Sequence, residues 1–348
     1  MSCITDLLAD LDTIPDKSRV NLFAPIQLCV GNVINQVLFG YIFVHGTPSA
    51  ERFLHFVDII TRFLTDLISK ETVFYQAWPW LIHVPLINRT YKRMEREYHH
   101  SYMRFIMKEV EAQRREFSPT APVTTFVQAY LAEIDKGVNS HLCVEQLYTV
   151  VSDFWFAGVE TTATTLRWAL LYMVKYPDIQ AKVYDEIQRV VGHDRYPAMS
   201  DKPAMPYMTA VIHEVQRLPG IVGMNFRITD SAQTIADHSI PPDTAYLLLL
   251  VRAMTGPQFD EPQEFRPERW LSEDGVTIRK ELLQYLIPFS VGRRQCPGEG
   301  LAKMELFLVL STLLQRYEFH AVGKADTTPV YGEVLYPKDY RVRMVKRQ

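Results

Sequence analysis

The spacing of apolar and polar positions divides the chain into a long helical part and a shorter mixed part. Over residues 22–39 apolar side chains recur with helical rather than alternating spacing. Over residues 52–68, Phe53, Phe56, Val57, Ile60, Phe63, Leu64 and Leu67 share one stripe, which predicts an amphipathic helix. Pro79 and Pro85 interrupt an aromatic stretch, and a charged amphipathic helix is expected over 87–116. A short helix is expected over 126–134. Residues 144–176 form the longest uninterrupted helical candidate, which Pro177 should stop, because its ring clashes with the preceding turn. Further helices are expected over 178–191, ending at Gly192, and over 207–218, closed by Pro219-Gly220.

The pattern then changes. Residues 226–250 read as strand, with Pro241-Pro242-Asp243 as the turn. Residues 256–270 carry Pro257, Pro262 and Pro267 and should be irregular coil. Residues 297–317 return to helix, and 327–345 read as terminal strands. Helices first, then a small β part with no βαβ alternation, predict a mainly α fold. The reading is one domain over 1–348, with 1–225 mainly helical and 226–348 mixed.

Composition narrows the function classes. With 348 residues, 47% hydrophobic and 22% charged, the chain is neither disordered nor low in complexity. A net charge of −3 provides no basic field, so nucleic acid is not expected as a partner. Cys3, Cys29, Cys143 and Cys296 are too scattered for a metal knuckle or a disulfide framework. That spacing suits a reduced, cytosol-facing compartment in which any important cysteine acts alone. The opening residues lack the basic start and apolar stretch of a secretory signal. No apolar run reaches the roughly 18 residues of a spanning helix, so the chain as it stands is not expected to cross a membrane.

Three segments carry candidate chemistry. In Phe289-Ser-Val-Gly292-Arg-Arg294-Gln-Cys296-Pro-Gly298, two glycines and a proline bracket one cysteine just before a helix. Pro297 suits a first helical turn, and Cys296 would then sit where the helix dipole favours a thiolate. A thiolate beside Arg293 and Arg294 is a nucleophile or a metal ligand; a structural cysteine at a turn is the plainer alternative. In Ala157-Gly158-Val159-Glu160-Thr161-Thr162, glycine in mid-helix costs ~1 kcal/mol relative to alanine. Small Ala157 and Gly158 would let a planar ligand approach the backbone. Glu160 and Thr161 could pass protons, or the threonine could bend the helix by bonding a carbonyl. Third, Glu214 lies on the apolar face of its helix with Val211, Val215 and Leu218. A carboxylate on a packed face must be paired, with Arg217 as one partner and Arg269 as the natural second; a surface ion pair is the bland alternative.

In order and spacing these segments resemble the cytochrome P450 superfamily. Phe289, Gly292, Arg294, Cys296 and Gly298 match its heme-binding signature F-x-x-G-x-R-x-C-x-G, and residues 157–162 match its A-G-x-[DE]-T-[TS]. Glu214 and Arg217 match E-x-x-R, and residues 265–270 match F-x-P-E-R-[FW]. The phrases at 205–217 and 296–307 are similar to the animal microsomal family 2 clan. On this resemblance the chain has the P450 fold but is N-terminally truncated. It would lack the family's membrane anchor, first sheet and first helices, including a Trp-x-x-x-Arg site for the heme propionates.

The resemblance implies heme b with iron held axially by Cys296, the only metal ligand. Arg294, and Arg227 on a following strand, would meet the propionates. Phe289, Gly292, Gly298, Ala157 and Gly158 would shape the cofactor site. Thr161 and Glu160 would relay protons, and Glu214, Arg217 and Arg269 would form a structural triad. The implied activity is that of a monooxygenase, an oxidoreductase that inserts one oxygen atom of O2 into a lipophilic organic substrate. No nucleotide-binding fingerprint is present, so electrons would come from NADPH-cytochrome P450 reductase, at the cytosolic face of the endoplasmic reticulum membrane. Membrane association would belong to the full-length parent. Substrate-lining candidates by family position are Phe154, Ala157, Val159, residues 221–225, Val330 and residues 74–87. The alternatives are a truncated, impaired heme-binding or scaffold protein, and a heme-thiolate isomerase or dehydratase.

Overall fold

A computed structural model describes residues 1–347. The chain opens with α1 (Ser2–Thr13), which buries Ile4, Leu7, Leu8 and Leu11 on one stripe. Next come α2 (Phe23–Phe39), ended by Gly40 at φ 82°, and α3 (Pro48–Leu67), capped by the Thr47 side chain with Pro48 in its first turn. After α4 (Lys70–Ala77) and a 3-10 turn at Pro79–His83, α5 (Arg89–Met94) leads into α6 (Met103–Glu116). The helix expected over 87–116 is therefore present, but Glu95–Tyr102 between them is wound as π-helix. This wider turn brings Tyr98 onto Phe63, with ring centroids 4.3 Å apart, and Tyr102 to 5.4 Å from Trp155.

Then follow α7 (Phe126–Asp135), the long α8 (Val144–Lys175), α9 (Pro177–Val190) and α10 (Pro206–Arg217). Pro177 both ends α8 and opens α9, where its missing N–H is harmless. Residues 226–250 do not form a single hairpin turning at 241–243. They form two nested antiparallel pairs, β1 (Asn225–Ile228) with β4 (Ala245–Leu248) and β2 (Gln233–Ile235) with β3 (His238–Ile240). The inner turn is Ala236-Asp237, both at positive φ of 45° and 68°. Between the pairs, Thr229 closes the junction by donating to Pro241 O and accepting from Thr244 N.

The rest is α11 (Leu250–Met254), α12 (Lys280–Leu283), α13 (Glu299–Arg316), and strands β5 (Tyr317–Ala321), β6 (Pro329–Val330), β7 (Tyr336–Pro337) and β8 (Val342–Lys346). The helix expected from 297 begins at Glu299 with Gly298 as its cap, so Pro297 lies before the first turn rather than in it. β5 pairs with β8, and β8 also bridges Val20 near the start of the chain.

Helix α8 divides its burial between two cores. Its first half buries Leu147, Val151, Trp155 and Val159 against α2, α3, α6 and α7. Its second half buries Ala163, Leu166 and residues 168–174 among α1, α9, α10 and α13. The small and polar residues 157–162 fall at the junction, where an apolar stripe would not be expected to break. Among the described residues no helix is long and apolar enough to cross a membrane.

Candidate active site

A cavity of about 440 Å³ opens at that junction, bounded by α8, α2, α13, the strand β1 and the loop that carries the cysteine. Residues 288–298 are held as a loop by few regular bonds. Cys296 N donates to Phe289 O at 2.9 Å, Ser290 and Gly292 take positive φ of 61° and 81°, and Gly292–Arg294 make one 3-10 turn. Gly292 is needed there, because a side chain at that φ meets its own carbonyl. The Cys296 thiol is exposed and lines the cavity, and a Cβ added to Gly298 would stand 3.8 Å from its sulfur. The side chain lies just ahead of the α13 N-terminus.

Phe289, Arg294, Cys296 and Gly298 from the loop, Ala157, Gly158 and Thr161 from α8, and Arg227 from β1 all border this one cavity. Gly292 does not; it shapes the loop behind it. Gly158 has a second reason to be small. A Cβ there would stand 2.6 Å from Ile34 Cδ1, so close packing of α2 on α8 requires it as much as any ligand does. The Thr161 hydroxyl donates to Ala157 O at 2.7 Å, the carbonyl bond considered above, which leaves its oxygen free to accept.

Glu160 is not in the cavity. It is 1% exposed on the far side of α8, where its carboxylate accepts from Gln27 Nε2 at 3.3 Å and Thr61 Oγ1 at 3.2 Å. Burial pushes its carboxyl up to about 7, with Arg167, Thr61 and Gln27 pulling partly back. Glu160 and Thr161 therefore do not share the cavity wall: the Glu160 carboxylate turns to Gln27 and Thr61, while Thr161 lines the cavity.

Of the residues expected to line a substrate space, Phe154, Ala157, Ile221, Val222 and Asn225 do so. Val159 is buried in the α2–α8 core, and Val330 is exposed outside the cavity. The stretch 74–87 lies outside as well, with Phe74, Trp78, Trp80 and Leu86 exposed. Among the contributors that were missed are Ile34 and Leu38 on α2, Phe126 on α7 and Glu305 on α13. Glu305 had a visible signal, an acid within the otherwise apolar run 304–310.

Glu214, Arg217 and Arg269 are all buried, and both arginines bond the Glu214 carboxylate. Arg217 Nε and Nη2 reach the Glu214 carboxylate at 2.8 Å each, and Arg269 Nε reaches it at 3.0 Å. Trp270 Nε1 at 2.9 Å and Arg266 N at 3.0 Å complete the acceptor shell. The remaining guanidinium N–H groups go to carbonyls of Met254, Pro262, Glu264, Asp260 and Glu261. The surface-pair alternative is excluded, and Trp270 is a partner that the motif did not suggest.

A buried Glu–Arg–Arg network, together with a glycine-bracketed cysteine and a long helix that border one cavity, defines a class. The profile of the family Cytochrome P450 matches residues 2–344, and the chain belongs to that family. Its members bind heme with the iron ligated by a cysteine thiolate. Among curated proteins it is similar to cytochrome P450 2D1 of Rattus norvegicus, 34% identical over 336 residues, 95% of this chain and 64% of that protein. Cytochrome P450 2U1 of Bos taurus is 32% identical over 338 residues, 94% and 60% of the two chains, and cytochrome P450 2C44 of Mus musculus is 32% identical over 327 residues, 91% and 64%. The chain thus spans about 60–64% of the length of these relatives.

The residues present fit heme. An exposed thiol, the small Ala157 and apolar side chains share one cavity with two guanidiniums, the chemistry of a flat apolar ring that carries carboxylates. Among the described residues Arg227 bonds only the carbonyl of its neighbour Phe226, at 2.7 Å, which leaves its charge available to an anion.

Proposed function

We propose that this chain is a heme-thiolate monooxygenase, which inserts one oxygen atom from O2 into a lipophilic organic substrate. Its electrons come from NADPH-cytochrome P450 reductase, and by family resemblance it works at the cytosolic face of the endoplasmic reticulum membrane. The observation that carries the reading is the meeting of Cys296, Arg294, Ala157 and Thr161 on one cavity. Heme b held there by the Cys296 thiolate supplies the dioxygen chemistry, since thiolate ligation favours O–O cleavage. Arg294 and Arg227 are the charges suited to its propionates. Ala157 and Gly158 leave room beside the helix, and the free lone pairs of Thr161 Oγ1 can accept a hydrogen bond from a protonated oxygen or a water. Ile34, Leu38, Phe126, Phe154 and Ile221 make the walls apolar, which favours a lipophilic substrate.

The reading is tested by turnover of the heme-loaded chain with the reductase, NADPH and isotopically labelled dioxygen. One labelled atom in the product is expected. Product oxygen drawn from water, or no oxygenation despite bound heme, would contradict it.

A further inference from the structure

The cavity leaves Glu160 without a use, although burying it is costly. A carboxylate in a core needs a bonded cation or a full set of donors, and Glu160 has neither. Gln27 on α2 and Thr61 on α3 donate to it, at 3.3 and 3.2 Å. Tyr336 on β7 stands beside it, close enough for each group to shift the other, yet the Tyr336 hydroxyl has no hydrogen-bond partner. Arg167, two turns further along α8, bonds Asp339 at 3.4 Å and lies over the Phe23 ring at 4.7 Å. One carboxyl thus stands where α8, α2, α3 and β7 meet.

The β7 side of this joint belongs to a strap, residues 329–337, that ties three parts of the chain together. Glu333 N donates to Leu64 O on α3 at 3.1 Å, and Leu335 N donates to Ile221 O at 2.8 Å. Trp168 Nε1 on α8 donates to Leu335 O at 2.9 Å. Ile221 in turn borders the cavity. The groups around Glu160 are therefore linked to a cavity wall by a short run of main-chain bonds.

We propose that Glu160 is the catch of a pH-operated joint. With its carboxyl neutral it holds α3 and the strap 329–337 against α8, and on ionising it lets them part and loosens the cavity wall at Ile221. This goes beyond the heme-thiolate reading and does not depend on it.

The electrostatics give the direction. Burial pushes the closed-state carboxyl up to about 7, from an ordinary 4.5 that water restores once the joint opens. Between these values the closed form holds a proton that the open form has lost, so opening becomes easier as pH rises and levels off above about 7. The charged or titratable groups that face Glu160 are Arg167 from α8 and Tyr336 from β7; α2 and α3 present the neutral Gln27 and Thr61. Arg167 favours the ionised form but pulls the carboxyl only partly back, and burial dominates.

Hydrogen exchange of the whole chain, with or without heme, tests the joint over a series of pH values from about 5.5 to 8.5. Once the intrinsic pH dependence of exchange is removed, protection at Glu333 N and Leu335 N should fall about tenfold per pH unit up to about 7 and then level off. Glu160→Gln, which keeps the shape of the neutral acid, should give flat protection. The β5–β8 amides should show no such slope. A flat parent, an equal slope in Glu160→Gln, or an equal slope in β5–β8 would each overturn the proposal, the last because it marks unfolding of the whole chain. If Glu160→Gln does not fold, Thr61→Val reads the same joint. It removes a donor that favours the carboxylate, so the levelling-off should move to higher pH, and an unmoved profile counts against the proposal. The heme-thiolate reading is judged separately, by the thiolate-type absorption band, and its failure would leave this result standing.

Discussion

The Glu214 network and the Cys296 loop are built from similar parts, arginines and irregular chain around one decisive side chain, yet they are opposites. At Glu214 every carboxylate oxygen is paired, both guanidiniums bond carbonyls as well as the carboxylate, and the residues are buried. At Cys296 the thiol and Arg294 are exposed, Ser290 and Gly292 hold left-handed backbone, and the cavity takes the place of packing. The first is a structural joint between α10 and the coil 256–270, and the second is a place kept open. The comparison teaches that the strongest polar bonding in this chain marks stability, whereas unsatisfied groups mark the site.

The largest effect should come from breaking the joint. Glu214→Ala leaves Arg217 and Arg269 buried without their carboxylate, a loss of about 3–5 kcal/mol; chemical denaturation measures it. A variant as stable as the parent would erase the contrast.

The buried carboxyls near the cavity give the next effect. Unfolded, Glu160 ionises at its ordinary 4.5, and folded it ionises at about 7. Between these values the native chain holds a proton that the unfolded chain has lost, so stability falls as pH rises through that window. The decline should be on the order of 3 kcal/mol for Glu160. The sign is the same for Glu305, whose window reaches about 8. Denaturation at a series of pH values should show this slope flattened in Glu160→Gln.

Gly292→Ala should cost about 1–2 kcal/mol, because alanine resists the left-handed backbone at φ 81°. The effect should appear in both melting temperature and heme retention, as the loop and the thiol move together. Cys296→Ser should be the smallest change. An exposed side chain with open space around it alters stability by no more than about 0.5 kcal/mol. The same substitution would therefore be nearly silent in stability and decisive in heme chemistry, which is the sharpest form of the comparison.

The sequence carried much of this architecture because its punctuation is strong. Pro177, Gly192 and Pro206 stand at the ends of α8, α9 and α10, where the backbone requires them. The nested strands were harder to read. Their inner turn is Ala236-Asp237, a pair without the glycine that usually signals a tight hairpin. Helix α1 was legible and overlooked, since Ile4, Leu7, Leu8 and Leu11 have helical spacing. In the site, residues joined by local sequence were easy to find, while those meeting through space were not. Trp270 joins Glu214 from a different segment, and Ile34 reaches the cavity from α2. The position of Glu160 was not legible either, because a motif states spacing along the chain and not which side of the helix a carboxylate is bonded on.

The central claim is that Cys296 is the thiolate ligand of heme in this chain, and the absorption spectrum of the reduced, carbon-monoxide-bound protein tests it most directly. After heme loading, the parent should give the red-shifted Soret band of thiolate ligation, and Cys296→Ser should not. An equal band in Cys296→Ser, or no such band in a parent that retains heme, would contradict the assignment.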